Sequence, residues 1–443
     1  MPLLARDLAT TDQQLTRDSY YAATAQRGAA HAALQGDTAC DVTVVGGGLA
    51  GLSAALDLRR QGLDVVLLEA RELGFGASGR NGGQAIHGLA CEQDVIEEQL
   101  GLDEARRVWN LSIEALDQLK QRIAEHAIAC DWQDGFLGLA TSPRKGRALS
   151  AWADRMDSVY GYPLQRIAPK DLPRWIASPR FHSGVFDARS GHLHPLKYTL
   201  GLARAAVAAG VRIHEGTPVR ALRQGQPAEL VTPHGTVRAR QVLLAGNVYL
   251  HGVAPPLERR IMPVGTYIAC SETLDPVLAD ALIPSRAAVC DTNFVIDYFR
   301  TTPDHRMLYG GRVSYSTVTP ARLADSMRLR MVRSFPQLRH TRVDYAWGGF
   351  VDISMNRAPD FGRLPAVQPG QAPNVYYLQG FSGHGLALTG LAGRLVAEAM
   401  GGDASRFDIF TRLRHRAFPG GALLRTPALV LGMAWYRLRD ILG

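Results

Sequence analysis

The sequence lacks the signatures of several common protein classes. Its five cysteines are widely spaced and contain no CxxC pair, which argues against a disulfide framework and a zinc site. Lysine is scarce, with only four residues, and the many arginines are interleaved with acids. The net charge of +8 therefore forms no basic tail or stripe, and we do not expect nucleic-acid binding.

Long apolar segments are also missing. No run approaches the ~20 apolar residues of a membrane-spanning helix. Residues 1–37 do not show the basic and then apolar order of a secretory signal. We therefore predict a cytoplasmic protein. With 443 residues the chain exceeds the size at which one hydrophobic core stops growing, so two domains are expected.

The most informative segment lies between residues 41 and 70. An apolar, β-branched run at 42–45 is typical of a buried parallel strand, and it leads directly into the sequence GGGLAG at 46–51. An amphipathic helical stretch follows, and then a second buried strand at 65–68 that ends on Glu69. This order predicts a dinucleotide-binding unit.

Each part of this unit has a physical role. Gly46 permits the tight turn, Gly48 lets a pyrophosphate approach the backbone, and Gly51 lets helix and strand pack closely. The helix that begins with Leu49 and Ala50 offers free N–H groups to the phosphates. The Glu69 carboxylate can accept hydrogen bonds from the ribose hydroxyls of an adenosine.

The residues after Glu69 distinguish FAD from NAD. Ala70 and Arg71 lead into a long loop at 74–84 that is dense in glycine. An NAD domain would continue into another helix and strand, whereas such a loop suits backbone that lies against the rest of a flavin dinucleotide. A flexible surface loop is the alternative interpretation.

Further motifs extend this pattern along nearly the whole chain. They are SYYA at 19–22, GASGRNGGQ at 76–84, YFR at 298–300, LYGG at 308–311, WGG at 347–349, RAPDFG at 357–362 and GFSGHG at 380–385. With them the sequence resembles the D-amino-acid oxidase superfamily of FAD-dependent amine oxidoreductases. Within that superfamily it is similar to the γ-glutamylputrescine oxidoreductase group.

The resemblance implies an FAD site built from separate parts of the chain. Near the diphosphate and the isoalloxazine edge it places Ser78, Arg80, Asn81, Gly82, Gly83 and Gln84. It places Val219 at the adenine, the strand end with Ala245 and Gly246 near the cofactor, and Gly383, His384, Gly385 and Leu386 under the flavin pyrimidine. A helix start at that last site would stabilise negative charge on the reduced ring. Some relatives tether FAD through a histidine near the first glycine loop or a cysteine near the C-terminal motifs. Here residues 81–84 read NGGQ and the stretch 348–362 contains no cysteine, so we predict noncovalent FAD.

The implied reaction is oxidation of a substrate C–N bond. An amine becomes an imine by hydride transfer to flavin N5, and water then hydrolyses the imine, as in a step of polyamine catabolism. Arg300 is our candidate to anchor a substrate carboxylate, although a structural ion pair would also explain it. Tyr267 and Tyr298 are candidate pocket residues, and His384 is a candidate to tune the ring.

Several functions stay open at this point. The substrate is γ-glutamylputrescine or a similar amine, or else a cyclic or N-substituted amino acid such as pipecolate, proline or sarcosine. An NAD-dependent dehydrogenase and a flavin-binding module without amine turnover are further alternatives. The acceptor is dioxygen or an electron carrier, and we favour an oxidase over a dehydrogenase.

The predicted fold is α/β, with a Rossmann-like FAD-binding domain and a second, sheet-based α+β substrate domain, both discontinuous in sequence. An N-terminal arm at 1–38 precedes an FAD-binding domain formed by 39–92, 191–255 and 345–412. The substrate domain comprises 93–190 and 256–344. The apolar tail at 413–443 is interpreted as a helix that packs on its own domain or a sister subunit. The alternative is a helix that touches a membrane.

Overall fold

Two β-sheets organise the chain in the computed structural model, which describes residues 19–250, 252–293, 295–314 and 322–419. Residues 1–18 of the predicted N-terminal arm and residues 420–443 of the predicted C-terminal tail lie outside the described residues.

The elements follow one another along the whole described chain. The strands are β1 (Thr38–Val45), β2 (Val65–Leu68), β3 (Gln84–Ala85), β4 (Gln133–Ala140), β5 (Gln165–Ile167), β6 (Ser183–His192), β7 (Arg212–His214), β8 (Ala221–Arg223), β9 (Ala228–Thr232), β10 (Gly235–Leu244), β11 (Ile261–Ser271), β12 (Ala288–Asp291), β13 (Tyr298–Thr301), β14 (Met307–Ser314), β15 (Val343–Ser354), β16 (Asp360–Arg363) and β17 (Val375–Gln379). The helices are α1 (Tyr20–Thr24), α2 (Leu49–Arg60), α3 (Gln93–Leu100), α4 (Leu102–Glu125), α5 (Pro143–Tyr160), α6 (Pro195–Ala208), α7 (Pro255–Glu258), α8 (Pro276–Leu282), α9 (Leu323–Ser334), α10 (Gly385–Met400) and α11 (Phe407–Thr411). Short 3-10 turns occupy Ala77–Gly79, Leu172–Arg174, Asn247–Tyr249 and Pro336–Leu338.

The first sheet has the strand order β16-β17-β10-β1-β2-β7, with the β8–β9 pair attached to β10. Its central strands are parallel, and Val44 of β1 lies opposite Leu67 of β2 and Leu243 of β10. Both faces are covered, because Val44 belongs to the core under the helices and Val45 to the core on the other side. This explains the continuous apolar run that the sequence shows here.

Helices α2, α4, α6 and α10 cover one face of the first sheet. Leu52, Leu116, Leu202 and Leu391 from these four helices are buried together. From the sequence, residues 93–190 were predicted to belong to the substrate domain. For α4 this prediction is wrong, because α4 packs against α10, one of the helices that cover the first sheet. An apolar helix stripe predicts burial without specifying which sheet it will cover.

The second sheet has the order β15-β11-β14-β13-β12-β4-β6-β3, with β5 beside β6. Its pairs are antiparallel except for β12 with β4. The sequence placed residues from 345 onwards in the cofactor domain, whereas β15 pairs with β11 along its length and so belongs to the second sheet.

Among the helices in the described part of the chain, none combines the length and apolar character that crossing a membrane requires.

Candidate active site

A large cavity lies where the two sheets meet. Its volume is about 2220 Å³, and its wall includes residues from β1, β2, β4, β11, β12, β13, β14 and β15. Pockets for single small ligands usually measure roughly 300–1,000 Å³. This cavity therefore has room for a dinucleotide and a substrate together.

The glycine turn after β1 is closely packed. Gly46 has a φ of 115°, and a Cβ there would lie 2.7 Å from the carbonyl oxygen of Ala245. A Cβ on Gly51 would lie 2.0 Å from the carbonyl oxygen of Gly46. The hydroxyl of Ser78 accepts the N–H of Leu49 at 2.9 Å, at the first turn of α2. These contacts leave backbone, without side chains, facing the cavity beside the start of a helix.

A half-buried carboxylate holds this turn in place. Oε2 of Glu69 accepts the N–H of Gly47 at 2.7 Å, and Oε1 accepts the N–H of Arg71 at 2.8 Å. Burial raises the pKa of Glu69, and the two backbone hydrogen bonds oppose that rise. Glu69 also lines the cavity at the end of β2, so it presents a fixed acceptor there.

The second glycine loop is fixed by its own side chains. Asn81 Nδ2 donates to the carbonyl of Ala77 at 3.0 Å, and Asn81 Oδ1 accepts the N–H of Gly83 at 2.8 Å. The indole N–H of Trp347 donates to the carbonyl of Arg80 at 3.0 Å. The loop is thereby joined to β15 of the second sheet.

The C-terminal motif depends on a buried acid that sequence reasoning missed. Asp352 of β15 accepts the N–H of Gly380 and, at 3.2 Å, the N–H of Phe381. Burial raises the pKa of Asp352 to about 6. The signal available in the sequence was an acid within the largely apolar stretch 345–353, ahead of the GFSGHG motif.

His384 precedes the first residue of α10 and lines the cavity. Its Nε2–H donates to the carbonyl oxygen of His87 at 2.8 Å. Burial lowers the pKa of His384 to about 4, so the ring is neutral at pH 7.

Most of the predicted cofactor residues meet at this one cavity. Those on its wall are Gly46, Gly48, Leu49, Ala50, Glu69, Ala70, Arg71, Ser78, Arg80, Asn81, Gly82, Gln84, Val219, Ala245, Gly246, Gly383, His384, Gly385 and Leu386. Gly51 and Gly83 lie behind the wall, where Gly51 packs on Gly46 and Gly83 packs on the carbonyl of Leu193. The backbone cradle and the fixed acceptor fit the diphosphate and the ribose of FAD.

The predicted catalytic residues are divided between the wall and the interior. Tyr298 lines the cavity, with its ring against the backbone of Gly82. Tyr267 is 2% exposed, is not part of the wall, and packs on Gly348. The structure thus brings Tyr298 and His384 to the site and leaves Tyr267 in the core.

The structure also corrects the interpretation of Arg300. This residue is 2% exposed and is not part of the cavity wall. Its guanidinium donates to the carbonyls of Gly82 and Leu193, both at 3.1 Å, and to the hydroxyl of Tyr21 at 3.3 Å. Arg300 therefore supports the glycine loop from behind and does not reach a substrate carboxylate.

A histidine–aspartate pair at the cavity was not predicted from the sequence. His87 lines the cavity, and its Nδ1 lies 2.7 Å from Oδ2 of Asp187 on β6. Burial acts to raise the pKa of Asp187, but its hydrogen bonds with His87, Ser190 and the backbone of Arg189 hold it below its usual range. The two residues are a hundred positions apart, and no local pattern links them.

Comparison with known proteins gives consistent matches. A family model described as FAD dependent oxidoreductase matches residues 41–399. Gamma-glutamylputrescine oxidoreductase of Escherichia coli (strain K12) is 41% identical over 96% of this chain and 98% of its own length. A probable oxidoreductase, OrdL, of Haemophilus influenzae is 38% identical over 90% and 92% of the two chains.

Solved structures share the fold. Glycine oxidase from Geobacillus kaustophilus superimposes with a TM-score of 0.71 at 19% identity, covering 86% of this chain and 100% of that one. L-proline dehydrogenase from P. horikoshii gives 0.69 at 18% identity, covering 86% and 98%. The predicted α/β fold class is confirmed.

We expect Glu69→Ala to weaken FAD binding, because the variant loses the acceptor for two backbone amides and for the ribose. Hydrogen bonds to a charged group contribute about 1.5–3 kcal/mol, so the dissociation constant should rise about 10- to 100-fold. Fluorescence titration of the apoprotein with FAD measures it. Glu72→Ala is the matched control, since Glu72 is an exposed acid in the same loop. Equal affinities in wild type and Glu69→Ala would contradict this role.

We expect Arg300→Met to reduce the free energy of unfolding by about 3 kcal/mol, because buried carbonyls lose a charged donor. Urea unfolding followed by tryptophan fluorescence measures the change. Arg342→Met removes an exposed ion pair with Glu272 and should cost less than about 1 kcal/mol. A variant of normal stability whose KM rises only for substrates that carry a carboxylate would restore the anchor interpretation.

Proposed function

Since the chain belongs to the family of FAD-dependent oxidoreductases, we propose that it oxidises the amine of a γ-glutamylated diamine, γ-glutamylputrescine or a similar compound. The predicted cofactor, FAD, and the predicted reaction class, oxidation of an amine, are confirmed by this membership. The observation that carries the substrate proposal is the 41% identity to gamma-glutamylputrescine oxidoreductase over almost the full length of both chains.

The residues of the wall would hold FAD along its length. The start of α2 would face the diphosphate, the Glu69 carboxylate would accept hydrogen bonds from the ribose, and the backbone of 383–386 would support the pyrimidine. When bound, FAD accepts the hydride that leaves the carbon next to the amine nitrogen.

The remaining wall favours the reactive form of the amine. Trp109, Phe136 and Trp152 line the cavity together, and their rings exclude water. Desolvation disfavours a charged ammonium relative to the neutral amine. Because the neutral amine is the form that loses hydride, these rings promote the reaction by favouring the neutral amine over the ammonium.

We further propose that dioxygen or an electron carrier reoxidises the enzyme, with an oxidase favoured over a dehydrogenase, and that the enzyme acts in the cytoplasm. The five cysteines are free thiols, which suits a reducing compartment.

FAD is proposed to be bound noncovalently. Cys91 lies on the cavity wall, and burial raises the pKa of its thiol to about 12, so it does not supply the thiolate that a covalent bond would need. After precipitation with trichloroacetic acid, we expect the flavin absorbance in the supernatant. Flavin that stays with the pellet after protease digestion and washing would contradict noncovalent binding.

An anaerobic substrate panel tests the proposed activity. Loss of the flavin absorbance is expected to be at least about tenfold faster with γ-glutamylputrescine than with putrescine, sarcosine, proline or pipecolate. Photoreduction is the control for a competent flavin, and admission of air then measures reoxidation. Faster reduction by a cyclic or N-methylated amino acid would favour the amino-acid alternative. Normal photoreduction without reduction by any amine would favour a binding module.

A further inference from the structure

His87 lies on the cavity wall, and its partner Asp187 lies behind it; neither residue has a role in the chemistry described so far. We propose that His87 accepts the proton of the substrate ammonium, and that Asp187 is the positioning residue that orients the His87 ring. This inference rests on the proposed function, because it assumes that an amine enters the cavity.

The carboxylate of Asp187 is held firmly. Oδ2 accepts hydrogen bonds from the hydroxyls of Ser190 and, at 2.9 Å, Tyr162, and Oδ1 accepts the N–H of Arg189 at 3.0 Å. With so many donors the carboxylate stays ionised, and so it can only accept from His87 Nδ1. The proton on Nδ1 leaves Nε2 of the neutral ring as an acceptor.

The His87 ring is also fixed by its backbone. The N–H of His87 donates to the hydroxyl of Ser190 at 3.0 Å, and its carbonyl accepts from His384 Nε2 at 2.8 Å. His87 therefore bridges the second sheet and the start of α10. Nδ1 is committed to Asp187, and no hydrogen bond from Nε2 to another described residue is formed, so this nitrogen is available to a ligand in the cavity.

Aromatic rings surround the same place. The ring of Trp152 stacks on His87 with centroids 5.8 Å apart, and the rings of Trp109 and Phe136 lie at 5.8 and 5.9 Å. All three also line the cavity. Their apolar surface desolvates an entering amine and so disfavours its charged ammonium form relative to the neutral amine. The site thus combines desolvation of the amine with an acceptor for its proton.

The proposed step is a proton transfer that balances on its own. The N–H bond of R–CH2–NH3⁺ breaks, its proton forms a bond to Nε2, and the electron pair stays on the amine nitrogen. The products are R–CH2–NH2, which can lose hydride, and an imidazolium beside the Asp187 carboxylate. The imidazolium later returns its proton to water.

The charged groups around the pair are compatible with this role. Asp187 on β6 contacts His87 directly, and neutral His384 approaches from the start of α10. The Tyr162 ring lies 5.4 Å from the His87 ring, and its hydroxyl donates to Asp187. The same cavity is lined by Glu92 ahead of α3 and by Arg144 and Lys145 in the first turn of α5. Of the two described histidines on the wall, only His87 contacts a carboxylate.

The pH dependence of anaerobic flavin reduction by γ-glutamylputrescine tests this inference in the FAD-bound enzyme. We expect the rate of His87→Gln at pH 7 to fall about 100-fold, since general base catalysis contributes roughly 10²–10⁴-fold. The deficit should shrink as the pH approaches about 10, where an aliphatic amine loses its proton without help. Asp187→Asn, which keeps the side-chain volume, should shift the profile in the same direction.

His182→Gln is the matched control, because His182 lies just before β6 and is not part of the wall. Flavin content and melting temperature show whether each variant is folded. If His87→Gln loses FAD, the pH profile of Asp187→Asn tests the inference in its place. A His87→Gln profile parallel to that of wild type overturns this inference alone. Wild-type flavin that no amine reduces at any pH overturns both the inference and the proposed function.

Discussion

Two backbone amides donate to one half-buried carboxylate, that of Glu69, where β2 ends, and the geometry of the cavity depends on that contact. Glu69 accepts from Gly47 in the turn and from Arg71 beyond the strand, so it ties together two segments that would otherwise diverge. A buried carboxylate is costly unless its oxygens are hydrogen-bonded, and these amides meet that requirement. The same contact sets the start of α2 and therefore the direction in which its first N–H groups point.

At the opposite end of the cavity, charged side chains again fix the backbone through hydrogen bonds. Asp352 accepts the amides of Gly380 and Phe381, and Arg300 donates to the carbonyls of Gly82 and Leu193. In each case a charged side chain fixes backbone that faces the cavity. Arg300 does so from behind the wall, whereas Glu69 and Asp352 are themselves part of the wall.

This arrangement explains what the sequence could predict. The strand, turn, helix and acid from β1 to Glu69 are contiguous, so apolar runs and glycine spacing were enough to locate them. The side of β13 on which Arg300 lies could not be predicted in this way. Both faces of this strand are buried, so the alternation of side chains along it does not show which face meets the cavity. The pairing of β15 with β11 and of His87 with Asp187 arises only when distant segments are folded together.

A crystal structure of the protein purified with its cofactor would test the central claim most directly, namely that one cavity between the two sheets holds FAD by backbone and by Glu69. We predict one FAD per chain, with ribose oxygens in hydrogen-bond contact with the Glu69 carboxylate and the flavin ring between residues 383–386 and the second sheet. Electron density for FAD outside this cavity, or a ribose that does not contact Glu69, would contradict it.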